Sequence, residues 1–156
     1  MTIRRALEPF RLGPLSLRNR LVFAPVTTQY AGERGAVTER LKAHYEARAR
    51  GGIGLAIVEA TYVAPVGQVF VNQLGIYSDE LIPGLRELAG VVKRHGCVPA
   101  IQLHHGGRMA KSAVTGIQPV APSPLAATGG EVPHELSESE IQSVVQSFVR
   151  AAVRAQ

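Results

Sequence analysis

The stretch Asn19-Arg20-Leu21-Val22-Phe23-Ala24-Pro25-Val26-Thr27-Thr28 decides how this chain is expected to fold. It is an apolar run bounded by turn-forming and polar residues, which is typical of a fully buried parallel strand. Pro25 lacks the N–H that a central strand donates, so we expect a strand over residues 20–25 that ends there. The polar residues that follow then lie at the carboxyl edge of the sheet, where α/β folds bind their ligands.

Two further apolar runs have the same form. They predict strands over residues 53–60 and 98–103, which end in Glu59-Ala60-Thr61 and in Gln102-Leu103-His104-His105. Both runs are almost wholly apolar, as expected for strands that are covered on both faces. Because parallel strands end at one edge of a sheet, the three sets of residues are expected to meet there.

Helix signals alternate with these strands. Thr38 and Ser78 are suited to be N-caps, and Ser137-Glu138-Ser139-Glu140 has the pattern of a capping box. Glycines, which tolerate the left-handed conformation of a helix end, follow the first two segments at Gly51-Gly52 and Gly96. The signals together predict helices over residues 38–50, 78–95 and 137–156.

The order β-α-β-α-β-α predicts a parallel sheet with right-handed crossovers. Local periodicity alone does not choose between an open doubly wound sheet and a (β/α)₈ TIM barrel. A short hairpin over residues 10–19, with its turn at Gly13-Pro14, favours the barrel because such a hairpin can plug one end. A complete barrel needs about 250 residues. We therefore expect about three βα units, the N-terminal half of one barrel domain over residues 1–156.

Composition argues against several other classes of protein. The net charge is +5, but the basic residues are scattered and aromatic residues are few, so a nucleic-acid interface is not predicted. His104 and His105 are adjacent and would point to opposite faces of a strand, so no metal site is predicted. Cys97 is the only cysteine, and no signal sequence or membrane-length apolar run is present. We expect a cytoplasmic protein with no membrane or nucleic-acid partner.

Three residues at the strand ends suit a flat heterocycle. Thr27 supplies a hydroxyl that can bond a ring carbonyl, and Ala60 is small enough to let a ring approach the backbone. Gln102 carries an amide that can pair with a lactam edge through one donor and one acceptor. Gln102 alone could equally bond neighbouring backbone groups within the protein. The three together make a ring-binding site the functional hypothesis.

Several ordered motifs resemble one enzyme family. They are Leu-Arg-Asn-Arg-Leu-Val…Ala-Pro, Gly-Gly-Ile-Gly-Leu…Val-Glu-Ala and Ile-Gln-Leu-His-His-Gly-Gly-Arg, within the segments 10–26, 51–62 and 101–108. With the stretch 121–123 and the helix over 136–156, they look like the N-terminal part of the Old Yellow Enzyme family. The resemblance covers nearly the whole chain from about residue 10. It implies an FMN-dependent ene-reductase or a related NAD(P)H:flavin oxidoreductase on a TIM barrel.

The resemblance also implies roles for the residues at the strand ends. Pro25 and Val26 match a segment that lies along the flavin ring with backbone contacts. Thr27 matches the position whose side chain bonds the flavin O4 edge, where another branch of the family has cysteine. Ala60 matches the small residue after the second strand, and Gln102 the amide that pairs with the pyrimidine edge.

Three further residues have weaker matches. Tyr30 lies near a substrate-side tyrosine of the cysteine branch, although the spacing differs by one residue. His105 and Arg108 match the family's loop after the third strand, where either a structural role or a ligand contact is implied. Tyr30 and His105 are therefore candidates for the substrate side.

The implied mechanism is ping-pong. NADPH or NADH reduces FMN and leaves, and hydride then passes to the β-carbon of a small alkene conjugated to a carbonyl or nitro group. A protein acid protonates the α-carbon. In the family the residues that grip the substrate and donate this proton follow the fourth strand, and Gln156 precedes it. The resemblance therefore assigns no catalytic residue to this sequence.

Half a barrel leaves an open strand edge, and such an edge favours association. The last predicted helix would bury an apolar face of Ile141, Val144, Val145, Phe148 and Ala152. We therefore expect self-association or a complementary half-barrel. Three functions stay open: an FMN oxidoreductase, a flavin-binding half-barrel without turnover, and a remnant that binds no flavin.

Overall fold

The computed structural model describes residues 3–156. Its strands are β1 (Phe10–Leu12), β2 (Leu15–Leu17), β3 (Val22–Phe23), β4 (Leu55–Tyr62), β5 (Val98–His104), β6 (Val120–Ala121) and β7 (His134–Glu135). Its helices are α1 (Ile3–Ala6), α2 (Glu39–Arg50), α3 (Ile82–Lys93), α4 (Ser112–Thr115) and α5 (Glu138–Arg154). The central sheet is parallel, in the order β3-β4-β5. The predicted alternation of three strands with three long helices is confirmed.

The N-terminal hairpin has the predicted form. β1 and β2 pair antiparallel, with Leu12 opposite Leu15 across the Gly13-Pro14 turn. Gly13 has a φ of +57°, which a glycine adopts without steric cost. β6 and β7 form a second small sheet within the region 106–135, where no strand was predicted.

The first central strand is shorter than predicted. Only Val22 and Phe23 pair, with Leu55 and Ala56 of β4, whereas the apolar run predicted a strand over 20–25. β3 has β4 as its only neighbour among the described residues, so only one side of the run is held in a ladder. Pro25 cannot donate to a ladder, so the chain beyond Phe23 stays outside the sheet.

The second strand runs two residues further than predicted. Thr61 pairs with Leu103 and Tyr62 with His104, and the register shifts between Val58 and Thr61. Such a shift places extra residues on one strand, which bends it and re-aims its side chains. The predicted sheet edge at Glu59-Ala60 is therefore a bulge inside β4. β5 ends one residue later than predicted, at His104.

The helix caps agree with the sequence. The Thr38 hydroxyl accepts a hydrogen bond from the Leu41 N–H, and the Ser78 hydroxyl accepts one from the Glu80 N–H. Ser78 begins a 3₁₀ turn over Asp79–Leu81, which leads into α3 at Ile82. The capping box of α5 is complete, because Ser137 and Glu140 bond each other's backbone N–H groups.

The Leu-Arg-Asn-Arg motif ties the start of β3 to the turn after α2. The Arg18 guanidinium donates to the carbonyl oxygens of Ala49 and Ile53, at 3.0 and 3.1 Å. Asn19 is buried, and its Nδ2 donates to the Gly52 oxygen at 2.7 Å. These bonds satisfy the carbonyl groups that the end of a helix leaves free.

The core lies between the sheet and its helices. One cluster joins α2, β4 and α3 through Tyr45, Val58 and Leu88, and a second joins α5 to the sheet through Ala151. Ile101 of β5 packs against both clusters. Because one side chain points to only one face of a sheet, α3 and α5 lie on the same face. Helices on one face only are the arrangement of a barrel, and not of a doubly wound sheet.

The predicted face of α5 is only partly buried. Ala151 is fully buried and Phe148 is packed against the second cluster, whereas Ala152 is exposed. Most of the predicted apolar face of α5 is therefore uncovered in residues 3–156. An apolar stripe remains on the helix surface, and its members, 38–65 % exposed, are Ile141, Val145, Val149 and Val153.

Candidate functional site

The register of the central sheet brings Ala60 and Gln102 to the same level. Val58 is opposite Ile101 and Thr61 is opposite Leu103, so Gln102 faces the bulge that contains Ala60. Gln102 and Ala100 are exposed, while Ile101 between them packs into the core. The amide of Gln102 therefore projects from the open face of the sheet, the one opposite the helices.

Thr28, the neighbour of Thr27, attaches the segment after β3 to β4 beside Ala60. Thr28 donates two hydrogen bonds to the carboxylate of Glu59, from its N–H at 3.2 Å and from its hydroxyl at 2.7 Å. Glu59 directly precedes Ala60 in the bulge. The segment after β3 is thus fixed to β4 beside Ala60, which brings the Thr27 position to the carboxyl end of the neighbouring strand. We call Thr27, Ala60 and Gln102, with this edge of the sheet, the rim.

Glu59 is a fully buried carboxyl group. Burial raises its pKa above the ordinary value, and the two hydrogen bonds from Thr28 oppose that shift. Its backbone is fixed as well, because the Glu59 N–H donates to the Tyr45 hydroxyl at 2.7 Å and the Thr61 hydroxyl donates to the Glu59 carbonyl at 2.7 Å. Burial also raises the pKa of Tyr45, which keeps its hydroxyl protonated.

A buried glutamine supports the other side of the bulge. Gln73 lies in the segment that follows β4, and its Nε2 donates to the Ala60 carbonyl at 2.9 Å. Its Oε1 accepts from the N–H groups of Val69 and Phe70. The Nε2 also lies 3.3 Å from Nδ1 of His104, whose pKa is lowered by burial. Gln73 therefore holds both the bulge and the segment above it.

The groups on the open face have no internal partner. Within residues 3–156, neither the Thr27 hydroxyl nor the Gln102 amide forms a hydrogen bond, in contrast to Glu59 and Gln73 nearby. Val26 is 60 % exposed, and Pro25 is half-buried. The Thr27 hydroxyl and the Gln102 amide are therefore the polar groups of the rim that are left without a hydrogen bond within residues 3–156.

Tyr30 packs towards α2. Its ring meets His44 edge to face with centroids 5.6 Å apart, and the Arg40 guanidinium lies 3.8 Å above it. Its carbonyl accepts a hydrogen bond from the Thr38 hydroxyl. These contacts attach the segment after β3 to the helix, and the assignment of Tyr30 to the substrate side stays a prediction.

His105 lies in the turn after β5. Its Nδ1 accepts from the Gly107 N–H at 3.1 Å, and its Nε2 is buried without a partner among the described residues. Burial lowers its pKa, with a smaller contribution from His104. A Cβ on Gly67 would lie 2.6 Å from Cδ2 of the His105 ring, so the turn packs closely on the segment after β4. Arg108 is exposed. A ligand contact by His105 or Arg108 stays a prediction.

Two supporting residues of the rim were not assigned from the sequence. Glu59 looked like the polar end of a strand, and Gln73 lay in a segment that was predicted only as a loop. Their partners are 31 and 13 residues away, at Thr28 and Ala60, so no local pattern indicates either bond. The one available signal for Glu59 was a carboxylate inside an apolar run, since such a group requires hydrogen-bond partners.

Residues 6–156 match the model of the NADH:flavin oxidoreductase / NADH oxidase family. The chain belongs to this family. It is 45 % identical over 148 residues to an NADH oxidase of Thermoanaerobacter brockii, which covers 93 % of this chain and 23 % of that protein. It is 41 % identical over 150 residues to an NADPH dehydrogenase of Geobacillus thermodenitrificans, covering 95 % of this chain and 43 % of the relative.

Solved structures of the flavin oxidoreductase family have the same fold. A structure of morphinone reductase in complex with tetrahydroNAD superposes with a TM-score of 0.89 at 32 % identity. The match covers 96 % of this chain and 46 % of that one. The prediction of an N-terminal part of a TIM barrel of the Old Yellow Enzyme type is therefore confirmed. The chain spans less than half the length of each of these three proteins.

The comparisons also confirm the predicted cofactor and reductant at the level of the family. The family consists of oxidoreductases that use FMN with NADH or NADPH, as the resemblance implied. No helix in residues 3–156 is both long and apolar enough to cross a membrane. No three His, Cys, Asp or Glu side chains in the described part of the chain are grouped so that they could hold a metal ion.

Proposed function

We propose that this chain forms the ring-binding side of an FMN-dependent oxidoreductase that reduces an activated alkene with electrons from NADH or NADPH. The observation that carries the proposal is the rim. Thr27 follows β3, Ala60 lies in the bulge of β4, and Gln102 lies opposite that bulge on β5. This is the edge at which barrels of this type bind their ligands.

The free groups on the rim fit a flavin ring. The Gln102 amide offers one donor and one acceptor, which match the N–H and carbonyl groups of the pyrimidine edge. The Thr27 hydroxyl can donate to a ring carbonyl, and the backbone at Pro25 and Val26 borders the same edge. Ala60 presents only a methyl group, so a flat ring can approach β4 closely. In this proposal these five residues hold FMN.

The bound FMN supplies hydride transfer between the nicotinamide and the β-carbon of an alkene conjugated to a carbonyl or nitro group. The residues of this chain bind and orient the ring. A hydrogen bond from Thr27 to a ring carbonyl stabilises negative charge on the ring, and Gln102 keeps the ring from sliding along the sheet. Tyr30 and His105 are proposed to border the substrate. No described residue is proposed as the proton donor.

The open surfaces of this chain fit the remainder of a barrel. β5 has no strand on its outer side within residues 3–156, and the apolar stripe on α5 is exposed. We propose that residues 1–156 are the N-terminal half of a single FMN-binding barrel domain. Further βα units cover these surfaces in the complete barrel. In their absence, a second copy of the chain is expected to cover them.

An FMN titration followed by anaerobic reoxidation tests the proposed function. The chain is titrated with FMN, the complex is reduced with dithionite, and 2-cyclohexenone is then added. We expect saturable binding of FMN by this chain, and return of the oxidised flavin spectrum when the rest of the barrel is present. Binding without reoxidation would leave a flavin-binding half-barrel, and an absence of binding would contradict the proposal.

A cytoplasmic location stays a prediction that fractionation of the source cells tests.

Substitution of Gln102 gives this titration a matched control. Gln102→Leu removes the free amide, and we expect FMN binding to weaken about 10- to 30-fold, as for the loss of two neutral hydrogen bonds. Gln142→Leu makes the same change at an exposed position on α5, and its affinity for FMN should equal that of the wild type. If Gln102→Leu and Gln142→Leu bind FMN with equal affinity, Gln102 is not part of the FMN site.

A further inference from the structure

Both carboxylate oxygens of Glu59 accept hydrogen bonds from the same residue, Thr28. Its Oε1 accepts from the Thr28 N–H at 3.2 Å and its Oε2 from the Thr28 hydroxyl at 2.7 Å. Two bonds from one carboxylate to one residue fix the distance between β4 and Thr28 and also the rotation of Thr28. Charge-assisted bonds of this kind are stronger than neutral ones.

A fully buried carboxylate is a costly means of attaching one segment to another. An apolar contact would join β4 and the segment after β3 without the free energy of desolvating a charge. Burial indeed raises the pKa of Glu59. What the carboxylate adds is direction, because its two acceptors define where the N–H and the hydroxyl of Thr28 must point.

The orientation of the Thr28 N–H also sets the orientation of the Thr27 carbonyl. The Thr27 carbonyl and the Thr28 N–H belong to one planar unit, so fixing the N–H also fixes the carbonyl of Thr27. On the other side, the Thr28 hydroxyl accepts from the Tyr30 N–H at 3.2 Å, and Gln29 between them has a φ of +58°. The turn over residues 27–30 therefore has one defined orientation relative to β4.

Glu59 is itself held rigidly. Its N–H bonds the Tyr45 hydroxyl on α2, and its carbonyl accepts from Thr61 on the far side of the bulge. The carboxylate is thus a fixed point between the helix layer and the rim. We propose that Glu59 is a positioning residue that sets the orientation of Thr27 towards the flavin, acting through Thr28. The inference rests on the proposed function, since it requires that Thr27 faces FMN.

Four variants separate positioning from a purely structural role. Glu59→Gln removes the negative charge and replaces the carboxylate acceptor of the Thr28 hydroxyl with an amide, which weakens the charge-assisted bonds, and Thr28→Val removes the hydroxyl alone. Thr28→Ser keeps both donors. Glu46→Gln is the matched control, because Glu46 also bonds a neighbour, His95 at 3.0 Å, but lies on α2. Each variant is measured for FMN affinity, for the absorption spectrum of the bound flavin and, without flavin, for hydrogen exchange at the Thr28 amide.

We expect Glu59→Gln and Thr28→Val each to weaken FMN binding about tenfold and to shift the flavin spectrum. The double variant should bind no more weakly than the weaker single variant, because both changes break one connection. Thr28→Ser should retain the wild-type affinity and spectrum. Exchange at the Thr28 amide should accelerate in Glu59→Gln and stay unchanged in Glu46→Gln.

Two results would overturn the inference. If the folded Glu59→Gln and Thr28→Val variants bind FMN with the affinity and spectrum of the wild type, the carboxylate only stabilises the fold. If hydrogen exchange at the Thr28 amide is unchanged in Glu59→Gln, the Glu59 carboxylate does not hold the Thr28 N–H. Should Glu59→Gln not fold, Thr28→Val and Thr28→Ser decide by the same criteria. Failure of the wild type to bind FMN would overturn the proposed function together with this inference, whereas a binding wild type with unaffected variants overturns this inference alone.

Discussion

The side-chain amide of Gln73 donates a hydrogen bond to the carbonyl oxygen of Ala60 at 2.9 Å, from a fully buried position. The same side chain accepts from the N–H groups of Val69 and Phe70. One glutamine therefore joins the bulge of β4 to the segment that follows it. The rim owes its shape to this bond on one side and to Glu59 on the other.

Gln73→Leu should destabilise the fold strongly. The substitution leaves the part-buried Ala60 carbonyl and two backbone N–H groups without their side-chain partner, which costs about 1–3 kcal/mol of unfolding free energy. Urea denaturation followed by circular dichroism measures the change. Gln68→Leu is the matched control, because its bond to the Phe70 carbonyl is exposed to solvent and its loss should cost less than about 1 kcal/mol. Equal costs for the two variants would contradict the role of Gln73.

The capping box of α5 should give the fold a defined acid sensitivity. Glu140 accepts from the N–H and hydroxyl of Ser137 and lies 3.1 Å from Nε2 of His134, and these bonds lower its pKa from 4.5 to about 2. The ionised form is therefore favoured in the folded state. Its contribution to stability is complete above about pH 4.5 and is lost as the pH falls towards 2.

Glu140→Gln should remove this part of the acid sensitivity. The variant should be less stable than the wild type at neutral pH, and the difference should shrink as the pH falls through the window from 4.5 to about 2. Denaturation curves across that window measure it. Glu138→Gln, in the same first turn, serves as the control. A difference between Glu140→Gln and the wild type that stays constant with pH would count against the capping role of the carboxylate.

The apolar stripe on α5 should drive association when the chain is studied alone. Val145 and Val149 are 46 % and 49 % exposed, at one face of the helix. Exposed apolar surface of this kind favours protein contacts. Val145→Lys/Val149→Lys should shift the sedimentation coefficient towards that of a monomer. Gln142→Lys/Gln146→Lys adds the same charge on an exposed polar strip and should leave the association unchanged. A monomeric wild type would contradict this prediction.

Local signals predicted the helices well. The caps at Thr38, Ser78 and Ser137 act within three residues, so the sequence alone indicates them. Strand ends depend on pairing partners that are distant in the sequence, and there the predictions erred. The bulge at Glu59-Ala60 extends β4 to Tyr62, and the short ladder of β3 reflects a single neighbouring strand.

The same contrast between local and long-range signals applies to the residues of the site. The groups that face outward from the rim, on Thr27, Ala60 and Gln102, were recognised because their chemistry matches a ring. The residues that position them, Glu59 and Gln73, were not recognised, because each acts through one long-range hydrogen bond. Periodicity predicted the apolar face of α5 because it shows which residues share a side of a helix. It does not show what lies against that side.

Nuclear magnetic resonance shows directly whether Thr27, Ala60 and Gln102 contact one FMN ring. The ¹⁵N-labelled chain is titrated with FMN, and the shift of each amide signal is followed. We expect the largest changes at the backbone of Thr27 and Ala60 and at the side-chain amide of Gln102, with one common dissociation constant. Changes confined to the helices α2, α3 and α5, or to different surfaces with different dissociation constants, would contradict this binding site.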